Sequence, residues 1–189
     1  MEETEFKTGL ENEADLVERA KTDDGAFGVL YGYYFPKIYG YIFKRVGNRE
    51  TAEDLVSEIF MKVFCNLERY SARGFGFSTW LYRVATNHLT DFYRKAANRK
   101  IVDIDQVAEP ADKMQGIEDK IQVDQDRGKI QSIIAKLKPN YQKVLNLKYF
   151  AELSTFEIAD IFKITENNAR VLLHRAHKSF KNLYEKHGK

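Results

Sequence analysis

Apolar residues recur at intervals of three and four along most of the chain, and the alternation typical of strands is nearly absent. This pattern predicts an all-α protein. Its first helices are expected at residues 11–22, 27–46 and 49–68, and Pro36 is expected to kink or divide the second of them. The third helix has an apolar face made by Leu55, Ile59, Phe60, Val63, Phe64 and Leu67.

Residues 78–100 form a further predicted helix, which carries the only tryptophan and ends in a basic run. One of its faces collects Trp80, Arg83, Asn87 and Arg94. Any base can stack on an aromatic ring and cationic groups follow phosphates, so this face suits single-stranded nucleic acid. The alternative is a helix with an ordinary buried tryptophan and a solvated basic tail.

The loop before this helix, residues 70–77, contains glycine and two phenylalanines, Phe75 and Phe77. Aromatic rings in a loop indicate a binding loop. The alternative is that both rings pack back into the core. Ser78 is expected to cap the helix that follows.

Residues 101–128 are acidic and contain Pro110, Gly116 and few large apolar residues, which predicts a flexible linker. The helical pattern resumes at residues 129–189, where about four short helices are expected. The predicted fold is therefore two small helical domains, residues 25–100 and 129–189, joined by a flexible acidic linker. An acidic segment, residues 1–24, precedes them.

The second domain contains the pattern of a helix-turn-helix, with a first helix capped by Ser154 or Thr155, a turn at 163–165, and the small residue Ala159 at the crossing. Arginine can bind guanine through two hydrogen bonds, asparagine can pair with adenine, and valine can contact a thymine methyl group. Such residues make up the outward face of the second helix: Asn167, Asn168, Arg170, Val171, His174, Arg175 and Lys178. The alternative is a helical hairpin with a solvated polar face.

The formal net charge of +2 hides a strong segregation of charge along the chain. Residues 1–24 hold nine acidic and three basic residues, and residues 101–128 hold eight and three. The two predicted domains carry net charges of +6 and +7. Two basic blocks separated by an acidic connector indicate two contacts with a polyanion.

Several classes of site and location are disfavoured by the composition. The single cysteine, Cys65, excludes an intramolecular disulfide and is expected to be a small packing residue. No apolar run is long enough to span a membrane, and the acidic N-terminus does not resemble a signal peptide, so a cytoplasmic protein without membrane insertion is expected. His174 and His177 lack further ligands at suitable spacing, so no metal, cofactor or catalytic residue is predicted.

Three segments together resemble the extracytoplasmic-function (ECF) sigma factors of bacterial RNA polymerase, in the sigma-70 family. AEDLVSEIF at 52–60 resembles the family's helix that binds core polymerase. STWLYRVATNHLTDFYRK at 78–95 resembles its helix that reads and melts the −10 element, and residues 137–180 resemble its −35-reading domain. The resemblance covers about three quarters of the chain.

The resemblance implies a promoter-specificity subunit that binds core RNA polymerase and promoter DNA and is controlled by an anti-sigma factor. It implies polymerase contacts from Glu53, Asp54, Leu55, Glu58, Phe60 and Lys62, and −10 contacts from Phe75, Phe77, Trp80, Arg83, Asn87 and Arg94. The family usually has glutamine where this chain has Ser57, which weighs against a carried-over hydrogen bond there. Val171 and Leu172 replace the commoner Ser-Arg pair, which implies a different −35 base preference. The acidic linker matches a segment that threads the RNA-exit path of the polymerase.

Three other functions fit the sequence less well. A two-domain helix-turn-helix regulator that acts without melting DNA would leave the outer face of residues 52–64 unexplained and would favour a dimer with two half-sites. An enzyme acting on nucleic acid through His88 or His174 would lack paired carboxylates or a set of metal ligands. A structural scaffold is disfavoured by the segregation of charge.

Overall fold

The computed structural model describes residue 10 and residues 12–72, 74–102, 130 and 132–187. Every regular element within these ranges is helical, and they build two small helical domains, as the sequence predicts. Most of the predicted acidic linker and residues 1–9 lie outside the described residues. The domain boundaries and the linker's flexibility and path therefore stay predictions.

Four helices form the N-terminal domain: α1 (Glu13–Arg19), α2 (Asp24–Val46), α3 (Arg49–Leu67) and α4 (Phe77–Val102). Helix α3 packs against both α2 and α4. Its side chains at Ala52, Val56, Ile59 and Val63 are completely buried. Burial of each of the larger aliphatic side chains stabilises the fold by about 1.5–3 kcal/mol.

The starts of α2 and α3 are held by capping side chains. The Asp23 carboxylate accepts a hydrogen bond from the Gly25 N–H at 2.8 Å. The Asn48 Oδ1 accepts one from the Thr51 N–H, also at 2.8 Å, so Asn48 caps α3. Gly47, between the two helices, has a φ of 69°, a backbone conformation that glycine adopts without strain.

Helix α2 is not divided at Pro36, where the sequence led us to expect a kink or a break. Proline removes the donor to the carbonyl of Gly32, four residues earlier. Both residues are exposed, so water can satisfy that carbonyl. A proline on the outer side of a helix whose other side is buried is therefore tolerated.

Three local predictions about α3 and α4 are wrong. Phe64 was expected on the apolar face and is 47% exposed, in edge-to-face contact with Phe27. Cys65 was expected to pack inside and is exposed. Both residues lie beside the narrow strip of α3 that is buried. Helix α4 begins at Phe77, one residue before the expected cap Ser78.

The C-terminal domain contains α5 (Pro139–Tyr149), α6 (Thr155–Phe162) and α7 (Glu166–His187), and residues 132–135 are also helical. Helices α6 and α7 form the predicted helix-turn-helix. Ile158 and Ala159 on α6 are buried against the rest of the domain. On α7 the buried residues are Ala169, Leu173 and Ala176.

Polar groups define both ends of the short helix α6. Ser154 and Glu157 form a capping box, in which the Ser154 Oγ accepts from the Glu157 N–H at 3.2 Å. Lys163 ends the helix in the left-handed region, with a φ of 54°. Thr165 then caps the start of α7, since its Oγ1 accepts from the Asn168 N–H at 3.3 Å.

The two domains are in direct contact. Helix α6 lies against α4, where Arg83 donates a hydrogen bond to Asp160 and the Thr79 hydroxyl donates one to Glu157. Elsewhere along the same junction the Lys44 ammonium lies 3.2 Å from the centroid of the Phe150 ring. Local sequence pattern does not predict this arrangement.

Within the part of the chain that the structure describes, every helix is too short or too polar to cross a membrane.

The cap of α6 yields a stability prediction. Ser154→Ala should lower the free energy of unfolding by about 1 kcal/mol, because the Glu157 N–H loses its acceptor. Chemical denaturation followed by circular dichroism measures this change. Ser57→Ala is the control, since that exposed hydroxyl donates within its own helix and its loss should change stability by less than about 0.5 kcal/mol. Equal effects of the two substitutions would contradict the capping role.

Candidate nucleic-acid and protein interfaces

The side of α3 that faces away from the core is exposed and mostly charged. Of the six residues predicted to bind polymerase, four lie on this outer side: Glu53, Asp54, Glu58 and Lys62. Leu55 and Phe60 are each only 5% exposed. These two are corrected to core residues, because their positions on the helix turn them towards α2 and α4.

Met61 belongs to the outer face of α3 and was missed by the sequence analysis. Its side chain is 64% exposed and lies one turn beyond Ser57 and Glu58. A flexible thioether among charged groups is well suited to a protein-binding surface. The Ser57 hydroxyl donates to the Glu53 carbonyl at 2.9 Å, so it is engaged within the helix.

A buried histidine of α4 connects this face to the rest of the domain. The Lys62 ammonium donates to the His88 Nδ1 at 2.6 Å, and the His88 Nε2 lies 2.8 Å from a Glu58 carboxylate oxygen. The second contact is too bent for a well-formed hydrogen bond. His88 thus touches two charged residues of the outer face while its own side chain is 9% exposed.

A small pocket lies where the aromatic loop meets α4. Its volume is about 210 Å³, and it is lined by Arg69, Tyr70, Ser71, Phe75, Gly76, Trp80 and Arg83. Phe75, Trp80 and Arg83, which the sequence predicted to contact a DNA strand, meet here. Arg69 and Tyr70 were missed, although Tyr70 lies in the predicted loop. The pocket combines aromatic rings with cationic groups, the combination that holds unstacked bases.

Phe77 is corrected from a contact residue to a core residue. It is 3% exposed and its ring packs against those of Tyr34, Tyr70 and Trp80. Because α4 begins at this residue, its side chain joins the inner face of the helix. Phe75, two residues earlier, stays half-buried and contributes to the pocket.

The other predicted strand-binding residues continue along α4. Asn87 is exposed and lines a shallow groove that also contains Trp80 and Val84. Arg94 is exposed and pairs with Asp91 at 3.1 Å. Arg83 differs from both, because its guanidinium is paired with Asp160 of the C-terminal domain.

The outer face of α7 presents a mostly polar surface. All seven residues that the sequence predicted to read duplex DNA are exposed: Asn167, Asn168, Arg170, Val171, His174, Arg175 and Lys178. Arg170 pairs with Glu166 within the helix at 2.6 Å. The surface lies on the second helix of the helix-turn-helix, the helix that enters the major groove in proteins with this motif.

Within the described ranges, no group of three histidine, cysteine or carboxylate side chains is placed to hold a metal. The His177 Nε2 lies 2.6 Å from the Tyr149 hydroxyl, so it is engaged in the packing of α7 on α5.

Comparison with known proteins accounts for both domains. Two family models match the chain, "Sigma-70 region 2" over residues 30–99 and "Sigma-70, region 4" over residues 127–179. The ECF RNA polymerase sigma factor SigW of Bacillus subtilis (strain 168) is 31% identical over 169 residues, which cover 85% of this chain and 90% of SigW. The chain belongs to the ECF sigma factors.

A second relative agrees with this membership, and two solved structures share the fold. The ECF sigma factor BldN of Streptomyces coelicolor is 29% identical over 163 residues, and the chain spans 62% of BldN's length. The fold is shared with CnrH, solved with the cytosolic domain of CnrY, at a TM-score of 0.70 and 16% identity, covering 93% of this chain and 98% of CnrH. It is shared equally with the sigma factor RpoE of Bartonella quintana, solved with the anti-sigma factor NepR. The TM-score is again 0.70 and the identity 16%, and the match covers 84% of this chain and 96% of RpoE.

The candidate surfaces of this ECF sigma factor are divided between the two matched regions. Region 2 contains the outer face of α3, His88 and the pocket at Arg83. Region 4 contains α6 and the exposed face of α7. The contact between α4 and α6 is therefore a contact between region 2 and region 4.

The surroundings of His88 predict that the stability of this sigma factor depends on pH. Burial, and then the Lys62 ammonium, hold the pKa of His88 below its usual value of 6.5, while the Glu58 carboxylate partly opposes this shift. The unfolded chain then binds more protons than the folded one as pH falls through 6.5. The stability that neutral His88 contributes is therefore present above that pH and is lost below it.

The expected result is a fall in the free energy of unfolding of the wild type between about pH 7.5 and pH 5.5, and a smaller fall for His88→Asn. The asparagine oxygen can still accept from Lys62 but does not titrate. Denaturant titrations at both pH values measure the difference. The matched control is His174→Gln, at an exposed position, which should follow the wild type. An identical pH dependence in all three proteins would contradict the assignment to His88.

Proposed function

We propose that this ECF sigma factor directs core RNA polymerase to its promoters through three separate surfaces. The outer face of α3 binds the polymerase, the exposed face of α7 reads the −35 duplex, and the pocket at Phe75, Trp80 and Arg83 holds a strand of the −10 element. The main support is that one chain combines a duplex-reading helix with a pocket suited to single strands. A regulator that only binds duplex DNA has no use for the second.

Promoter opening requires no catalytic residue in this proposal. Unstacking a base costs a few kcal/mol, and stacking on a protein ring recovers about 1–3 kcal/mol for each captured base. Trp80 and Phe75 offer such rings at the pocket, and Arg69 and Arg83 offer cations for the backbone. Asn87 and Arg94 extend the path along α4.

The polymerase contact is proposed as a helix laid against a groove, rimmed by charge. Met61 supplies an exposed apolar centre, while Asp54, Glu58 and Lys62 supply the rim. Leu55 and Phe60 support the helix from the core. His88 contributes indirectly, because it accepts a hydrogen bond from the Lys62 ammonium and lies beside the Glu58 carboxylate.

The proposal extends to location and control. A protein acting on promoter DNA with the polymerase works in the bacterial cytoplasm. RpoE of Bartonella quintana is solved with an anti-sigma factor, and we propose that this chain is also controlled by one.

The direct test is a pull-down of core RNA polymerase with the full chain, followed by run-off transcription from a library of genomic fragments. Transcripts that begin at defined sites, and only when the chain is added, would support the proposal. Duplex binding without association with polymerase would favour the regulator that does not melt DNA.

The polymerase surface gives one prediction. Asp54→Lys combined with Met61→Ala should weaken binding to core polymerase by about tenfold or more, because it reverses a rim charge and removes the apolar centre. Fluorescence anisotropy with labelled core polymerase measures the dissociation constant. Glu185→Lys, an equal charge change at the exposed end of α7, is the control. Unchanged affinity of the α3 variant would place the polymerase contact elsewhere.

The duplex surface gives another prediction. Arg175→Ala should cost about 1–3 kcal/mol on the −35 duplex identified by the transcription assay and less on a scrambled duplex, if Arg175 contacts a base. Lys178→Ala should weaken binding to both duplexes and reduce the salt slope by about one unit, as expected of a phosphate contact. If Arg175→Ala lowers the affinity for both duplexes equally, Arg175 is a phosphate contact as well.

A further inference from the structure

The contact between the two domains uses the same side chains that the proposed function assigns to the −10 strand. Arg83 pairs with Asp160, and the ring of Phe75 stacks on that of Phe156 with centroids 4.8 Å apart. Phe156 and Asp160 both lie on α6, the first helix of the helix-turn-helix. A single short helix therefore covers two neighbouring groups of the strand pocket.

The groups that α6 presents have the chemistry of a nucleic-acid strand. The Asp160 carboxylate supplies an anion to the Arg83 guanidinium, as a phosphate would. The Phe156 ring lies on the Phe75 ring, as an unstacked base would. Glu157 adds a carboxylate that accepts from the Thr79 hydroxyl, and Thr79 is completely buried.

We propose that α6 is an intramolecular occupant of the −10 strand pocket in the free protein, and that a DNA strand must displace it. This inference rests on the proposed function, because it takes the pocket to be the strand site. In the free state, region 4 covers part of the surface with which region 2 would hold the strand. The exposed face of α7 lies outside this contact and keeps its access to duplex DNA.

The geometry favours a contact that can be released. The side chains of Arg83 and Asp160 retain 34% and 25% of their exposure, so solvent and salt weaken their attraction. The Arg83 Nε is buried and has no hydrogen-bond partner among the described residues, so α6 satisfies the guanidinium incompletely.

Another part of the junction carries an unfavourable arrangement of charge. A cleft of about 610 Å³ there is lined by Lys44, Arg45 and Lys143, among other residues. Burial, and then the charge of Arg45, lower the pKa of Lys143. The like charges of Arg45 and Lys143 on this flank oppose the attraction at Asp160, whereas the Lys44 ammonium over the Phe150 ring adds to it.

The test uses the full chain with the double substitution Asp160→Asn and Glu157→Gln. Both changes keep the size of the side chain, and glutamine at 157 preserves the capping box. Closure is measured by energy transfer between dyes on the native Cys65 and on Lys186→Cys, both at exposed positions. Strand binding is measured by the anisotropy of a fluorescein-labelled oligo-deoxythymidylate, since stacking tolerates any base.

The double variant should show a clear shift in energy transfer and bind the oligonucleotide about fivefold more tightly, because a larger fraction of molecules has an open pocket. The matched control is Glu166→Gln with Glu185→Gln, which removes the same charge from the same domain away from the junction. It should show wild-type energy transfer and a smaller gain in affinity. A charge exchange, Arg83→Glu with Asp160→Arg, should restore closure relative to Asp160→Arg alone.

Two outcomes would overturn the proposal. Energy transfer that is the same in the double variant and the control, with no restoration by the charge exchange, means that these residues do not hold the domains together. A shift in energy transfer without a gain in affinity over the control means that α6 does not compete with a strand. Failure of the proposed function gives a different result: strand binding would be weak, and Arg83→Ala and Trp80→Ala would leave it unchanged. The energy-transfer measurement uses no DNA, so it tests closure separately.

Discussion

The burial of one side of α3 is the constraint on which the N-terminal domain depends. Ala52, Val56, Ile59 and Val63 are completely enclosed between α2 and α4, so the helix cannot rotate without exposing its whole apolar strip. The opposite side must then face solvent. This single restriction fixes the direction of Asp54, Glu58, Met61 and Lys62, and it provides the platform against which His88 of α4 is placed.

Helix α6 links the two domains because its two sides have different partners. Ile158 and Ala159 are buried and support α7, which carries the face proposed to read duplex DNA. Phe156, Glu157 and Asp160 lie towards α4 and the strand pocket. A helix of eight residues therefore holds α7 in position and contacts the surface proposed to hold the melted strand. Any change in the capping of α6 should therefore affect both the position of α7 and the contact with the pocket at α4.

Periodicity predicted the helices and the helix-turn-helix because each depends on local spacing and on polar caps such as Asn48 and Ser154. It could not tell which of two loop phenylalanines turns inward, since that depends on where α4 begins: Phe77 enters the core and Phe75 does not. It also missed Met61, because an apolar residue on a polar face has no periodic signature.

The pairing of Arg83 with Asp160 could not be predicted from sequence pattern. The two residues are 77 positions apart, and nothing in local spacing relates them. The family resemblance indicated the residues on each domain but not how one domain lies on the other. Such contacts depend on the shapes of two finished surfaces, and these become visible only in the folded chain.

The central claim is that this ECF sigma factor opens promoter DNA together with core RNA polymerase. The most direct measurement is permanganate reactivity of thymines in the −10 region of a promoter selected by transcription. With core polymerase and the chain together, thymines of the melted strand should become reactive, and the reactivity should fall sharply for Trp80→Ala if that variant remains folded. Reactivity no greater than with core polymerase alone, on a duplex that the chain demonstrably binds, would contradict the account.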